Sequence, residues 1–506
     1  MSGENKVNVI IVGAGITGLC TGLALAKAGH EVTVVERDTP PPEGGPDEAF
    51  FGWNRRGAAQ FRHPHAFLAV MSNLLQESFP DLIDDFFAAG ARKVSFESML
   101  PPDLKSRYRP DPEDEKLWIM MCRRATMETV FRRYAERAAG IEIRSNVNVT
   151  GLITKQSADL TTVTGITLQQ RGEESEQLLA DIVVDAGGRN SKLRDRLRDT
   201  GAAIESEVDD AEIIYYTRHY KLLPGVEEPE RDPAEPSTGD LGFIKFGVFP
   251  GDGGHFAVIV CIHREETELL EAIRDSETYD RICRSIPGLN RWVAEDKAEA
   301  TTGSFGFSDI HAAWHHYVTD KKPVALNYFA VGDAAVRTNP LYGRGCSTGI
   351  IHAHVLANVL DEIASPHERA LVFDQRTEEE LRPIFKASLA DDKKAIKRAR
   401  AMMADDTTTP RPRGVRNRLQ SLFGNAMREA IRKDIHVLRG AMRTFNLMEK
   451  PGEFMKDWRV IARTLRFMGR GDGGSRVNGP SRGETLSLIA QNSHEDGTRE
   501  RDIAQA

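Results

Sequence analysis

Cysteine is scarce. The 506 residues hold five, at Cys20, Cys122, Cys261, Cys283 and Cys346, and no two stand as C-x-x-C. So scattered and odd a set argues against structural zinc and against a disulfide framework, and predicts free thiols in a reducing, cytoplasmic setting. A basic excess is also missing. The 67 Lys and Arg against 75 Asp and Glu give a formal net charge of −8, so no global positive field points to nucleic acid. Long apolar runs are few. Val9 to Ala26 carries no charge and approaches membrane-spanning length, but Gly and Thr interrupt it repeatedly, no basic stretch precedes it and no small-residue cleavage site follows. A buried strand running into a buried helix explains it better than a transmembrane segment. No internal repeat is visible.

What is present is a core-forming chain. Hydrophobic residues make up 40%, and the length predicts two or three folded units. Val7–Val12 reads as a strand covered on both faces, Ile16 to Ala28 as a helix capped by Gly29, and Glu31–Glu36 as a second strand. Such a βαβ opening implies a parallel sheet with a right-handed crossover. Further on, Ala66–Phe87 reads as two helices broken at Pro80, Arg124–Arg137 as an amphipathic helix, Val147–Leu168 as strands and Asp181–Asp185 as another buried strand. Ile213–Leu222, Gly242–Phe249 and His255–His263 read as a more antiparallel sheet, with a hairpin turn at Gly251–Gly254, before Tyr328–Val331 returns to a buried strand. After Pro366 the pattern is mostly helical. Asp391 to Phe445 holds 14 Lys and Arg against 6 Asp and Glu, which reads either as a solvated helical face or as a surface for an acidic substrate or a membrane. Beyond Gly471 the chain turns polar, and its last dozen residues have the composition of a flexible tail.

Chemistry concentrates in the glycine turns. Gly13-Ala14-Gly15-Ile16-Thr17-Gly18 follows a strand and opens a helix. Gly13 permits the tight turn, Gly15 a close approach of backbone to a pyrophosphate, and Gly18 close helix packing. The helix N-terminus supplies free N–H groups and the positive dipole end. Glu36, followed by Arg37, stands where an acid accepts hydrogen bonds from a ribose. The fingerprint alone does not separate NAD from FAD. Phe329-Ala330-Val331-Gly332-Asp333-Ala334-Ala335, some 300 residues downstream, is again a strand ending before a helix. FAD is longer than ADP and needs a hydrogen-bond acceptor for its ribityl chain at the mouth of another strand, which Asp333 suits. Pro340-Leu341-Tyr342-Gly343-Arg344-Gly345-Cys346-Ser347 then leads into a helix whose N–H groups suit negative charge on a flavin edge. Between these lie Asp185-Ala186-Gly187-Gly188-Arg189-Asn190-Ser191 and Arg124 at the head of its helix.

Taken in this order, the motifs resemble the FAD-dependent aromatic-hydroxylase superfamily over roughly Val7 to Leu360. The resemblance implies an α/β fold: a Rossmann-like FAD-binding domain with a parallel sheet (1–210, returning at 323–365), an inserted mixed or antiparallel substrate domain (211–322), a helical C-terminal region (366–470) and a polar tail (471–506). It implies that Gly13, Gly15, Ile16, Thr17, Gly18, Glu36 and Arg37 serve the ADP half of FAD. It further implies that Arg124 contacts the pyrophosphate side and that Asp185 belongs to a motif linked to both FAD and NAD(P)H. Gly332 and Asp333 match the ribityl motif, and Pro340, Gly343, Gly345, Cys346 and Ser347 match the loop beside the flavin ring. Arg55-Arg56-Gly57 with Arg62-His63-Pro64-His65 resembles a subgroup that includes polyether-pathway epoxidases, which brings Arg56 near the cofactor. This chain departs from that pattern at Gln60-Phe61, where a glycine commonly precedes the arginine.

Other readings weigh less. His63 and His65 straddle Pro64 with no acidic cluster nearby, so a pocket or packing role is expected rather than a metal. His311, His315 and His316 are expected on the surface or in the core. Tyr215, Thr217 and His219 alternate with Tyr216, Arg218 and Tyr220, so one of the two faces should line the substrate sheet. The W-x-W-x-I-P motif of flavin-dependent halogenases is missing, as are a second Rossmann fingerprint and the cysteine pair of disulfide reductases. The expected activity is NAD(P)H-dependent hydroxylation or epoxidation of a hydrophobic or aromatic small molecule with O₂. The alternative is a flavin dehydrogenase passing electrons to a quinone or protein carrier. No catalytic residue is legible.

Overall fold

The computed structural model describes residues 6–65, 67–157, 160–170, 172–404, 415–469 and 478–490. Its centre is a five-stranded sheet in the order Tyr328–Ala330, Ile182–Asp185, Asn8–Val12, Glu31–Val35, Ile141–Arg144. Every neighbouring pair is parallel. Alternation along each strand feeds two cores. Val9, Ile11, Ile182 and Val184 face the helices Ile16–Lys27, Arg124–Arg137 and Gly345–Glu362. Ile10 and Val183 face the opposite way, toward the antiparallel pair Val147–Ser157 and Leu160–Gln170. Burial on both faces explains why these strands read as unbroken apolar runs.

The inserted unit is an antiparallel sheet in the order Thr238–Asp240, Ile244–Pro250, His255–His263, Ile213–Leu222, Ala298–Ala300. Tyr216, Tyr220 and Phe256 on one face pack with Tyr279 and Trp292 from the helices Ser276–Ser285 and Pro287–Val293. Tyr215, Thr217 and Ile259 lie on the opposite face, where Tyr215 meets Asn339 and Thr217 meets His63. The two units are stitched by a third ladder, in which Glu205–Asp210 pairs with His311–His316 and that strand with Val336–Arg337. Sheet pairing therefore crosses both expected boundaries, 210/211 and 322/323. Backbone hydrogen bonding joins the units at both places.

Pro366–Met403 is a single 38-residue helix that carries Pro383 within it. The helices Val415–Lys433, Ile435–Phe445 and Trp458–Leu465 gather around Met427, Ala430, Val437 and Val460. Part of the basic stretch 391–445, namely 405–414, lies outside the described residues, as do the last dozen residues. Within the stretch read as a polar tail, 482–490 is helical. Its Ile489 is buried in the core of the inserted sheet, and Arg482 pairs with Glu266 at 2.8 Å. This segment is docked because its apolar side chains repeat at helical spacing, a signal too short to stand out among polar neighbours. Among the described residues, no helix is long and apolar enough to cross a membrane.

The glycine turn after the first strand depends on contact distances. Gly13 sits at φ +110°, and a Cβ on Gly18 would lie 1.9 Å from the Gly13 carbonyl oxygen. Gly18→Ala should therefore lower the urea-unfolding midpoint by an amount equivalent to about 1–3 kcal/mol, the usual cost of overpacking. An unchanged midpoint would mean that the turn tolerates a side chain there.

Candidate functional site

A cavity of about 470 Å³ opens at the carboxyl edge of the parallel sheet. Open α/β sheets place ligands at this edge, and the volume falls within the roughly 300–1,000 Å³ of small-molecule sites. Helix Ile16–Lys27 points its N-terminus at the cavity. Its cap residue Gly15 has no side chain, and a Cβ built there meets nothing within 4 Å. Helix Gly345–Glu362 ends on the same cavity, and no side chain caps its N-terminus either. The uncapped N–H groups of both helices thus face one space with their positive dipole ends.

The first end of the cavity is built on buried charge. Glu36 accepts from the Ala14 backbone N–H at 2.8 Å and from the Asp38 N–H at 3.0 Å. Arg55 lies 3.3 Å from Glu36, 3.0 Å from Asp38 and 2.9 Å from Glu128. Arg124 closes the cluster with a 2.6 Å bond to Glu128. Burial raises the Glu128 carboxyl, but Arg55 and Arg124 outweigh it and hold the group below the usual carboxylate range. A second Arg124 nitrogen lies 2.8 Å from His65 Nε2 and 3.7 Å from the Cys346 sulfur. Arg124 thereby reaches from the acid cluster to the head of the Gly345 helix. Burial pushes the Cys346 thiol up to about 11, with Arg124 opposing.

At the middle of the cavity stands Asp333. Among the described residues its carboxylate has no hydrogen-bond donor. Burial raises it above the ordinary aspartate value, partly offset by Arg337, Arg124 and Arg189. The following loop turns at Gly343, φ +64°. A buried polar chain holds this loop against two other elements. Tyr215 donates to Asn339 Oδ1 and accepts from the Leu341 N–H at 3.0 Å, while Asn339 Nδ2 and the Tyr342 hydroxyl both donate to Asp392, at 2.7 and 3.0 Å. The inserted sheet and the long helix Pro366–Met403 thus fix the loop from both sides.

The far end is apolar. Tyr215, Phe249, Ile259, Phe307, Ile310 and Leu341 line it and belong to one packed cluster. His63 enters this end, bonded to Thr217 at 2.9 Å and flanked by Phe305 and Phe307. Burial lowers its pKa to about 3, so the ring is neutral at physiological pH.

Of the residues singled out in the sequence, Gly13, Gly15, Ile16, Thr17, Glu36, Arg37, Arg124, Asp333, Pro340, Gly343, Gly345 and Cys346 line the cavity. Five do not. Gly18 and Gly332 pack instead: a Cβ on Gly332 would meet Thr17 at 2.7 Å. Ser347 is buried inside its helix. Asp185 is turned inward, holding its own turn through Gly187 N–H, Ser191 and Tyr328 at 2.7–3.0 Å. Arg56 is exposed and does not line the cavity, whereas its neighbour Arg55 does. The reading of the sequence missed Arg55 and the Tyr215–Asn339–Asp392 chain. A signal existed for a buried cation, since Glu36 and Asp38 follow the second strand as closely spaced acids, but it did not single out Arg55. His63, His65 and His311 all line the cavity.

Removing one member of a buried ion cluster leaves the others uncompensated. Glu128→Gln should cost about 3–5 kcal/mol near neutral pH. Because the folded pKa is depressed, the contribution is complete above the ordinary value of 4.5 and is lost as pH falls through the folded value. The stability gap between parent and variant, measured by urea unfolding, should narrow below about pH 4.5. A gap independent of pH would show that the cluster is held by shape alone.

The profile of the family described as FAD dependent oxidoreductase matches residues 8–358. A Mycobacterium tuberculosis protein, Rv3254, is 27% identical over 386 residues, covering 71% of this chain and 74% of that one. Squalene epoxidase 4 of Arabidopsis thaliana is 26% identical over 221 residues, 43% of this chain and 38% of that protein. Among solved structures, PqsL of Pseudomonas aeruginosa, described as a probable FAD-dependent monooxygenase, aligns with a TM-score of 0.55 at 17% identity, over 80% of this chain and all of that one. At that identity the likeness is one of fold. The family match spans both glycine turns and the loop between them, and the chain belongs to the FAD-dependent oxidoreductases.

Proposed function

We propose that the protein is a monooxygenase that uses NAD(P)H to hydroxylate or epoxidise a hydrophobic or aromatic small molecule. One observation carries the reading: the cofactor-sized cleft continues without a break into the aromatic and aliphatic chamber under the inserted sheet. The overall balance is substrate, O₂, NAD(P)H and a proton giving oxygenated product, NAD(P)⁺ and water. FAD, when bound, supplies the redox chemistry of this exchange.

This chain's residues bind, orient and exclude water. The uncapped N–H groups at Gly15, Ile16 and Thr17 suit the pyrophosphate, with Gly13 shaping the turn. Glu36 already accepts two backbone bonds, but a carboxylate offers about four lone-pair sites, so it retains capacity for ribose hydroxyls. Arg37 flanks the same end, and Arg124 stands toward the pyrophosphate. Asp333 is an acceptor without a donor, which suits the ribityl hydroxyls. Pro340 and Gly343 shape the turn of the loop, the Gly343 N–H closing on the Pro340 carbonyl at 2.8 Å, and the uncapped helix N–H groups at Gly345 and Cys346 would lie toward the flavin ring and suit negative charge there. The Tyr215–Asn339–Asp392 chain keeps that loop in place. His63, held neutral, presents a hydrogen-bonding edge within apolar walls and orients a substrate without adding charge. The apolar walls around Phe249, Ile259 and Phe307 also exclude water from the substrate end.

Asp333→Ala should weaken FAD binding by one to two decades, since a hydrogen bond to a charged acceptor is worth about 1.5–3 kcal/mol. Flavin-fluorescence titration measures this, and an unchanged Kd would move the ribityl site elsewhere.

The reaction class is tested by mixing the FAD-loaded enzyme anaerobically with NADPH or NADH across a panel of apolar and aromatic compounds. Admission of isotopically labelled O₂ follows. The expected result is bleaching of the flavin band, then one labelled oxygen atom in the product. Reduced enzyme that is stable in air yet quickly discharged by a quinone would replace this reading with a dehydrogenase. So would reduction by an organic substrate but never by NAD(P)H.

A further inference from the structure

We propose that the C-terminal helices Val415–Lys433 and Trp458–Leu465 form a docking face for an anionic lipid surface. The inference does not depend on the reaction assigned above. Of the eleven exposed large hydrophobic side chains among the described residues, seven fall between Leu419 and Leu465. The same region is basic. Residues 415–469 carry twelve Lys and Arg against five Asp and Glu, in a chain whose net charge is −8.

Helix Trp458–Leu465 and the turn after it separate these properties by face. Val460, Thr464 and Phe467 pack inward against Val415–Lys433. Trp458, Ile461 and Leu465, at helical spacing, form an exposed apolar ridge, and Trp458 is 71% exposed. Arg459, Arg463 and Arg466 form a row beside it, and residues 458–469 hold no acid. Arg463 pairs with Asp434, while Arg459 and Arg466 make no ion pair among the described residues. Leu419 and Leu422 add apolar surface on the neighbouring helix. An apolar ridge carrying an aromatic side chain, with a guanidinium row alongside, is the pattern of a helix lying in a lipid headgroup layer. Charge complementarity selects the anionic lipid surface. A second copy meeting this face by twofold symmetry would set arginine rows against each other.

The other four tryptophans are at most 7% exposed, so vesicle-induced changes in emission report on Trp458. The experiment uses the full chain loaded with FAD. Vesicles of mixed phosphatidylglycerol and phosphatidylcholine are compared with vesicles of phosphatidylcholine alone. The expected result is co-sedimentation with the anionic vesicles, a blue shift of tryptophan emission and quenching by brominated acyl chains. Added salt should weaken all three. The triple variant Trp458→Ser, Ile461→Ser, Leu465→Ser should abolish binding. Arg459→Gln with Arg466→Gln should weaken it by roughly fivefold for each charge removed. FAD content and Tm should stay as in the parent, showing that both variants fold. Four results would overturn the proposal: no binding, equal binding to uncharged vesicles, a fully quencher-protected Trp458 before vesicles are added, or a solution dimer that the triple variant dissociates. The third would mean that the chain's own C-terminal segment covers the face, and the fourth that a second copy does.

Discussion

Everything at the site depends on how closely two helices begin side by side. Thr17 stands where three backbones meet. A Cβ on Gly349 would lie 2.2 Å from its hydroxyl oxygen, and one on Gly332 would lie 2.7 Å away. Glycines at these positions let the Gly345–Glu362 helix and the Gly332 turn close onto the Ile16–Lys27 helix. Segments more than 300 residues apart thereby present their N-termini to one cavity. Neither helix caps its own N-terminus with a side chain. Unpaired N–H groups at two buried termini are a cost unless something occupies the space between them, so the fold is arranged for an elongated anionic ligand.

The charged side chains answer a related problem. A positive pole at each helix end favours acids nearby, yet buried acids need cations. Arg55 and Arg124 sit between Glu36, Asp38 and Glu128 and are less than a tenth exposed. Each carboxylate is thus held by a guanidinium, a backbone N–H or both. Toward the other end the walls are mostly aromatic or aliphatic and His63 is neutral, with Arg189 lying 4.7 Å from the centre of the Phe307 ring at the edge of this region. One continuous cavity therefore runs from an ionic end suited to a nucleotide to an apolar end suited to an organic substrate.

How much of this was legible depended on whether the determinants were local. The helix Arg124–Arg137 and the strands Ile213–Leu222 and His255–His263 form at the residues their patterns marked, because periodicity within one segment decides them. The glycine turns were equally clear, since each carries its own reason for glycine. Arg55 and Arg56 could not be told apart in the sequence. The choice is made by Glu128, 73 residues away, which reaches Arg55 alone. Asp185 carried the right motif, but Ser191 and Tyr328 turn it inward, and Tyr328 arrives from a strand 143 residues later. The Tyr215–Asn339–Asp392 chain joins three elements with no local signature in any of them.

That chain also explains why the inserted unit cannot be treated as a separate module. Tyr215 belongs to the inserted sheet, Asn339 to the loop that leads into the Gly345–Glu362 helix, and Asp392 to the long C-terminal helix. A buried hydroxyl, amide and carboxylate satisfy one another only if all three elements are in register, and breaking any link leaves a buried polar atom without a partner. The ladder from Glu205–Asp210 through His311–His316 to Val336–Arg337 ties the same elements by backbone. A change in how the inserted sheet packs is thus transmitted to the loop that leads into the Gly345–Glu362 helix, whose uncapped N-terminus faces the cavity. The apolar walls of the cavity and the loop beside them are set by one packing arrangement.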